Sequence, residues 1–189
     1  MARRKAARPA MRIRALALAL ATLAGFAQAA PDDPGLEAAV KATYLYKFAD
    51  YIEWPAGRFS SPADPLTLCV AGSDAITALV DAAAAGRTLQ NGRPIAVRHV
   101  ALAHERDCDI LYLAPRREES EQEALREVRG QPVLTVSDGP VVGNLHAVIA
   151  FAVVDNRVRF DIDLDAAAQN RLAVSSKLLN LAVRVRPKL

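Results

Sequence analysis

The chain has 189 residues, 24 basic and 21 acidic, with a formal charge of +3 and 52% hydrophobic residues. Six of the basic residues fall before position 15, where there is no acid, which leaves 18 basic against 21 acidic beyond it. That remainder offers no basic face for nucleic acid, and at about 160 residues it fits one domain able to bury a core.

The first segment has three parts. Arg3, Arg4, Lys5, Arg8, Arg12 and Arg14 come first. Residues 15–27 are then apolar apart from Thr22 and Gly25, and Ala27-Gln28-Ala29 follows as a small-x-small site. This order predicts a secretory signal over residues 1–29, cleaved near Ala29, and hence a periplasmic protein. The apolar run falls short of the ~20 residues that a spanning helix needs. Residues 30–35 read as an unstructured Pro/Asp leader.

Residues 37–54 place Val40, Tyr44, Leu45, Phe48 and Ile52 at helical spacing, with Trp54 just beyond; Pro55 and Gly57 end the element. Residues 66–71 are a short apolar strand. Gly72 turns the chain, and Ser73 or Asp74 caps a helix that Gly86 closes. Strands follow at 93–100 and 108–114. Pro115 opens a charged helix with Glu118, Glu119, Glu121 and Glu123 early and Arg126 and Arg129 late, as the helix dipole favours. Its thin stripe of Ala124, Leu125 and Val128 suggests a surface helix. A fourth strand over 133–136 ends in Ser137-Asp138-Gly139-Pro140. Residues 147–154 and 157–164 form a β-hairpin around Asp155-Asn156, and two helical pieces, 165–170 and 176–183, close the chain. The pattern predicts a single-domain α/β fold: a mostly parallel sheet of about six strands with an antiparallel edge hairpin, flanked by helices on both faces.

Three segments together resemble the YfiR-like family of periplasmic regulators. They are Tyr44-Leu45-Tyr46-Lys47-Phe48-Ala49-Asp50-Tyr51-Ile52-Glu53-Trp54-Pro55, Val133-Leu134-Thr135-Val136-Ser137-Asp138, and Val174-Ser175-Ser176-Lys177-Leu178-Leu179-Asn180-Leu181-Ala182. A cysteine in the first strand and another opening the third also match. The resemblance implies a periplasmic domain, often a homodimer, that binds the periplasmic part of an inner-membrane diguanylate cyclase and holds it inactive, lowering cyclic di-GMP and biofilm formation. Two departures stand out. His146-Ala147 replaces a glycine pair before the hairpin strand, and the second cysteine pair of some members is missing.

Cys69 and Cys108 are an even pair in a chain read as exported, which favours a disulfide over two buried thiols. In a 2-1-3-4 doubly wound order their strands are neighbours, within the ~4.4–6.8 Å that a disulfide spans between Cα atoms. His99, His104 and His146 are scattered, so no metal site is expected. Gly72, Ser73, Asp74, Ser137 and Asp138 lie at strand ends on one rim and are a candidate ligand crevice for a small-molecule effector, although capping and turning need the same residue types. Tyr51, Glu53 and Trp54 are a candidate partner interface. No activated nucleophile, metal cluster, CxxC or phosphate loop appears, so neither an enzyme nor a cofactor is expected. The competing reading is a periplasmic solute-binding or sensory module.

Overall fold

Alternating apolar strands and amphipathic helices place a parallel sheet between two layers of helix. The computed structural model describes residues 34–71, 74–101, 107–114 and 118–187. The expected signal over 1–29, together with Gly72, Ser73 and His104, lies outside them. Residues 32–189 form a compact unit.

Helix α1 (Pro34–Phe48) begins inside the stretch expected to be unstructured, with Pro34 at its first turn, where the missing amide proton costs nothing. It also stops earlier than expected. A 3-10 turn (Ala49–Tyr51) leads into strand β1 (Ile52–Glu53), because Ile52 is extended at φ −112° and ψ 135°. Trp54 precedes proline, which disfavours helix, so the aromatic segment is not one helix to residue 54. β1 pairs antiparallel with β8 (Ala173–Val174) in a separate two-stranded ribbon.

Strands β2 (Leu66–Ala71), β3 (Ile95–His99), β4 (Ile110–Leu113) and β5 (Leu134–Ser137) are parallel, and β6 (Ile149–Val154) continues them. β6 turns back into β7 (Arg157–Asp163). Asp155 and Asn156 take positive φ at 49° and 55°, as a two-residue turn matched to strand twist requires. The order is β3-β2-β4-β5-β6-β7-β9, where β9 is Val185–Arg186. The sheet therefore has seven strands rather than six, and the hairpin is not its edge: β9 adds to β7 in parallel. The last helical stretch shortens to α5 (Ser176–Leu179), which frees the chain after it to reach the sheet.

Side-chain alternation divides the core in two. Leu66, Leu68, Val70, Ile110, Tyr112, Leu134 and Val136 face α1 and α2 (Asp74–Ala84). Cys69, Ala71, Leu111 and Leu113 face α3 (Glu118–Val128). The stripe of Ala124, Leu125 and Val128 is fully buried, so α3 is a covering helix whose charged side alone is wet. Phe48, Phe151 and Phe160 cluster under α1, with Phe48 and Phe160 at 5.1 Å. Buried Asn170, the residue after α4 (Leu164–Gln169), donates to the Val133 carbonyl and accepts from the Gly130 amide, so it ties α4 to the entry of β5.

Cys69 and Cys108 are joined in a disulfide with Cα atoms 5.8 Å apart. Both are inaccessible to water, at 0% and 1% exposure. Closing a loop between residues 39 apart contributes about 4 kcal/mol if chain entropy alone acts. Replacing both cysteines by alanine should lower unfolding free energy in urea by several kcal/mol; an unchanged midpoint would show that the bond constrains nothing.

Candidate functional site

The carboxyl ends of the parallel strands form the rim where α/β sheets usually bind ligands. Of the expected crevice, Ser137 and Asp138 are described, Asp74 opens α2, and Gly72 and Ser73 lie outside the described residues. Ser137 Oγ donates to the Gly139 carbonyl at 2.6 Å, a local turn bond. Asp138 faces α1. Its Oδ1 accepts from the Tyr112 hydroxyl at 2.6 Å and lies 2.9 Å from Lys41 Nζ. Lys41 also pairs with Glu37 one turn earlier and sits 5.8 Å from the centroid of the Phe151 ring. Asp138 thus uses its carboxylate to close the sheet against α1, while Ser137 only shapes the turn that follows β5.

Lys41 is only 5% exposed. Burial pulls its pKa down, but hydrogen bonds and charges from Glu37 and Asp138 outweigh this and leave it above the ordinary 10.5. Burial, then the Asp138 hydrogen bond and charge, push the Tyr112 hydroxyl well above its ordinary 10.0. Lys41 was not singled out from sequence. Its place four residues before Leu45 and seven before Phe48, on the buried face of α1, was the available signal.

A second polar centre adjoins the disulfide. Buried Asp109 takes Arg58 Nε on Oδ1 at 2.6 Å and the Thr67 amide on Oδ2 at 2.7 Å. Burial raises its pKa above 3.8 against the lowering influence of Thr67, Arg58 and Arg93. Beside it Arg93 stacks on Phe59 at 3.8 Å, and Phe59 meets Trp54 edge-on at 6.1 Å. Trp54 is partly buried and donates from Nε1 to the Pro132 carbonyl at 3.1 Å. Of the expected partner-facing trio only Glu53 is exposed; Tyr51 is half-buried and its carbonyl accepts from the Ser175 amide. The break after Phe48 removes these three from a shared helical face.

His99 meets Asp81 at 3.0 Å on the surface, and His146 lines an open groove with Asp161, Asp163, Arg184 and Arg186. Among the described residues no three His, Cys, Asp or Glu side chains form a group able to hold a metal, and no helix is long and apolar enough to cross a membrane.

The chain resembles a crystal structure of a conserved domain protein from Vibrio cholerae O1 biovar El Tor, with a TM-score of 0.51 and 9% identity over 79% of this chain, a likeness of fold. The chain spans 60% of that protein's length.

Two measurements probe the polar centres. Lys41 and Tyr112 hold protons in the native state that the unfolded chain releases near pH 10.5 and 10.0, so their stabilisation is present below about pH 10 and falls as pH rises past it. Urea unfolding should show that alkaline loss, and Tyr112→Phe should shrink it; an identical pH slope in the variant contradicts the assignment. Asp109→Ala leaves the Thr67 amide without its side-chain acceptor and should reduce stability by about 2–3 kcal/mol, read from the urea midpoint.

The YfiR/HmsC-like family model matches residues 38–183, and the chain belongs to that family, at family level a group of periplasmic regulators of diguanylate cyclase signalling.

Proposed function

We propose that this protein is exported by its first 29 residues, binds the periplasmic domain of an inner-membrane diguanylate cyclase and represses it, lowering cyclic di-GMP and biofilm formation. Family membership over residues 38–183 carries the reading. The chemistry of the fold is compatible with it. The charged groups at the rim and beside the disulfide are paired within the protein, which suits a rigid body that presents a surface.

Repression of this kind is a coupling free energy: the regulator must bind the inactive cyclase better than the active one. Glu53, exposed beside the anchored Trp54, is the candidate contact that can be altered without disturbing packing. Leu181, Val183 and Val185 also leave apolar surface exposed along the final segment, a second candidate for burial against the cyclase or another copy of the chain.

Deleting the gene should raise cyclic di-GMP and surface attachment, and restoring it should reverse both; unchanged levels overturn the repressor reading. Complementation with Glu53→Arg should keep the wild-type Tm but repress less, whereas Trp54→Ala should lower Tm. If Glu53→Arg represses fully, the partner does not contact that corner.

A further inference from the structure

The large apolar side chains left in water are gathered in one region. Seven are exposed among the described residues, and five of them, Val153, Val154, Leu181, Val183 and Val185, lie on the β6–β7 hairpin and the final segment; the other two are Leu36 and Val142. The two parts adjoin. The Val183 amide donates to the Phe160 carbonyl, and Val185 is paired in register with Ile162. Val154, Arg157, Arg159 and Val183 line one hollow at the hairpin end. A clustered apolar surface of this kind marks an interaction site.

Arginines are interleaved with the valines. In the final segment the order is Val183-Arg184-Val185-Arg186. Across the hairpin Arg157 is paired in register with Val154, and Arg159 with Ala152. The ion pairs of the described residues leave Arg157 and Arg159 unengaged. Arg184 gives Asp161 two of its five N–H groups and still has a side chain 77% exposed, so its other donors remain available. These cationic groups sit on a chain that carries 18 basic against 21 acidic residues beyond its first 14.

The shape of the patch narrows the kind of partner. Val153 and Val154 are consecutive residues of β6, so they point to opposite faces of the sheet. Both are exposed at the hairpin end. A rigid protein surface would cover one face and leave the other wet. A layer of lipid headgroups closes around a protruding end from all sides, and its phosphates adjust to arginines at any spacing. Guanidinium forks match phosphate in geometry, and aliphatic residues beside them reach the acyl boundary while the charges stay in the headgroup layer.

We propose that the β6–β7 hairpin end and the final segment dock on the surface of an anionic lipid bilayer, with the arginines on lipid phosphates and the valines and Leu181 at the acyl boundary. Asp155, at the turn itself, is repelled by such a surface and keeps the insertion shallow. The proposal stands apart from the repressor reading, since binding to lipid is measured without a cyclase.

The test is co-sedimentation with vesicles of two parts phosphatidylcholine to one part phosphatidylglycerol. The protein is the purified disulfide-bonded chain from residue 30 onward, which holds the whole compact unit and omits the basic, apolar first segment. Binding should saturate, weaken as salt rises past about 0.1 M, and be at least about tenfold weaker on pure phosphatidylcholine. Arg157→Gln combined with Arg159→Gln should lower the partition coefficient roughly 25-fold, at about fivefold per arginine, with Tm unchanged. Asp155→Asn keeps a residue that tolerates the positive φ of the turn and should raise the partition coefficient about fivefold. Equal binding to both kinds of vesicle, binding to neither, or an unchanged partition coefficient in both variants overturns the proposal. So does a dimer that the arginine variant disperses while vesicles capture nothing, a result that assigns the surface to a second copy of the chain.

Discussion

The disulfide between Cys69 and Cys108 joins β2 to the entry of β4, and the remaining elements are arranged around that pair of strands. β2 is paired on both sides, with β3 and β4, and all but one of its residues are fully buried. Beside the bond, Asp109 uses its backbone to bridge to Thr67 and Leu134 and its carboxylate to hold Arg58 and the Thr67 amide. The same few residues thus join β2 to the entry of β4 covalently and through a buried charge, and reach β5 through the ladder. Such a centre is costly if incomplete: the carboxylate is tolerable in the interior because a guanidinium and an amide satisfy it.

From that centre the two helical layers follow by alternation. Odd and even residues of β2, β4 and β5 face opposite sides, so one set receives α1 and α2 and the other α3. α1 is held by apolar packing through Leu45 and Phe48 and by polar contact through Lys41 to Asp138. The pairing also sets the shape of the rim, because Asp138, at a strand end suited to ligand binding, is engaged by Lys41 and Tyr112. The groove opens farther along the sheet, where β6 and β7 present small and charged side chains on the α3 side.

Much of the fold could be read from the sequence because its signals are local. The strand periods and the Asp155-Asn156 turn rest on short-range chemistry, while the 2-1-3-4 order, and with it the neighbourhood of the two cysteines, follows the usual doubly wound arrangement. What escaped depends on tertiary contact. The end of α1 at Phe48 is enforced by pairing of Ile52 with Val174, more than a hundred residues away. β9 was hidden because two residues carry no periodicity; the hydrogen bonds of Val183 to Phe160 and of Ile162 to Arg184 define it. At the site, Asp138 was visible as a strand-end residue, but its engagement by Lys41 was not, since a lysine in a helix is usually solvated. Trp54 stands out as an aromatic, yet its indole N–H finds the Pro132 carbonyl in the turn between α3 and β5, a pairing no spacing encodes.

Family membership and the buried disulfide describe a stapled α/β body from a family of periplasmic regulators, and we propose that it works through its exterior surface. The central claim is that this surface holds a membrane cyclase inactive. Its most direct test is cyclase turnover in membrane vesicles carrying the cognate enzyme, with the purified oxidised protein supplied to the periplasmic side. Saturable loss of cyclic di-GMP synthesis is the predicted result; synthesis unchanged at concentrations far above those of the cyclase would contradict it.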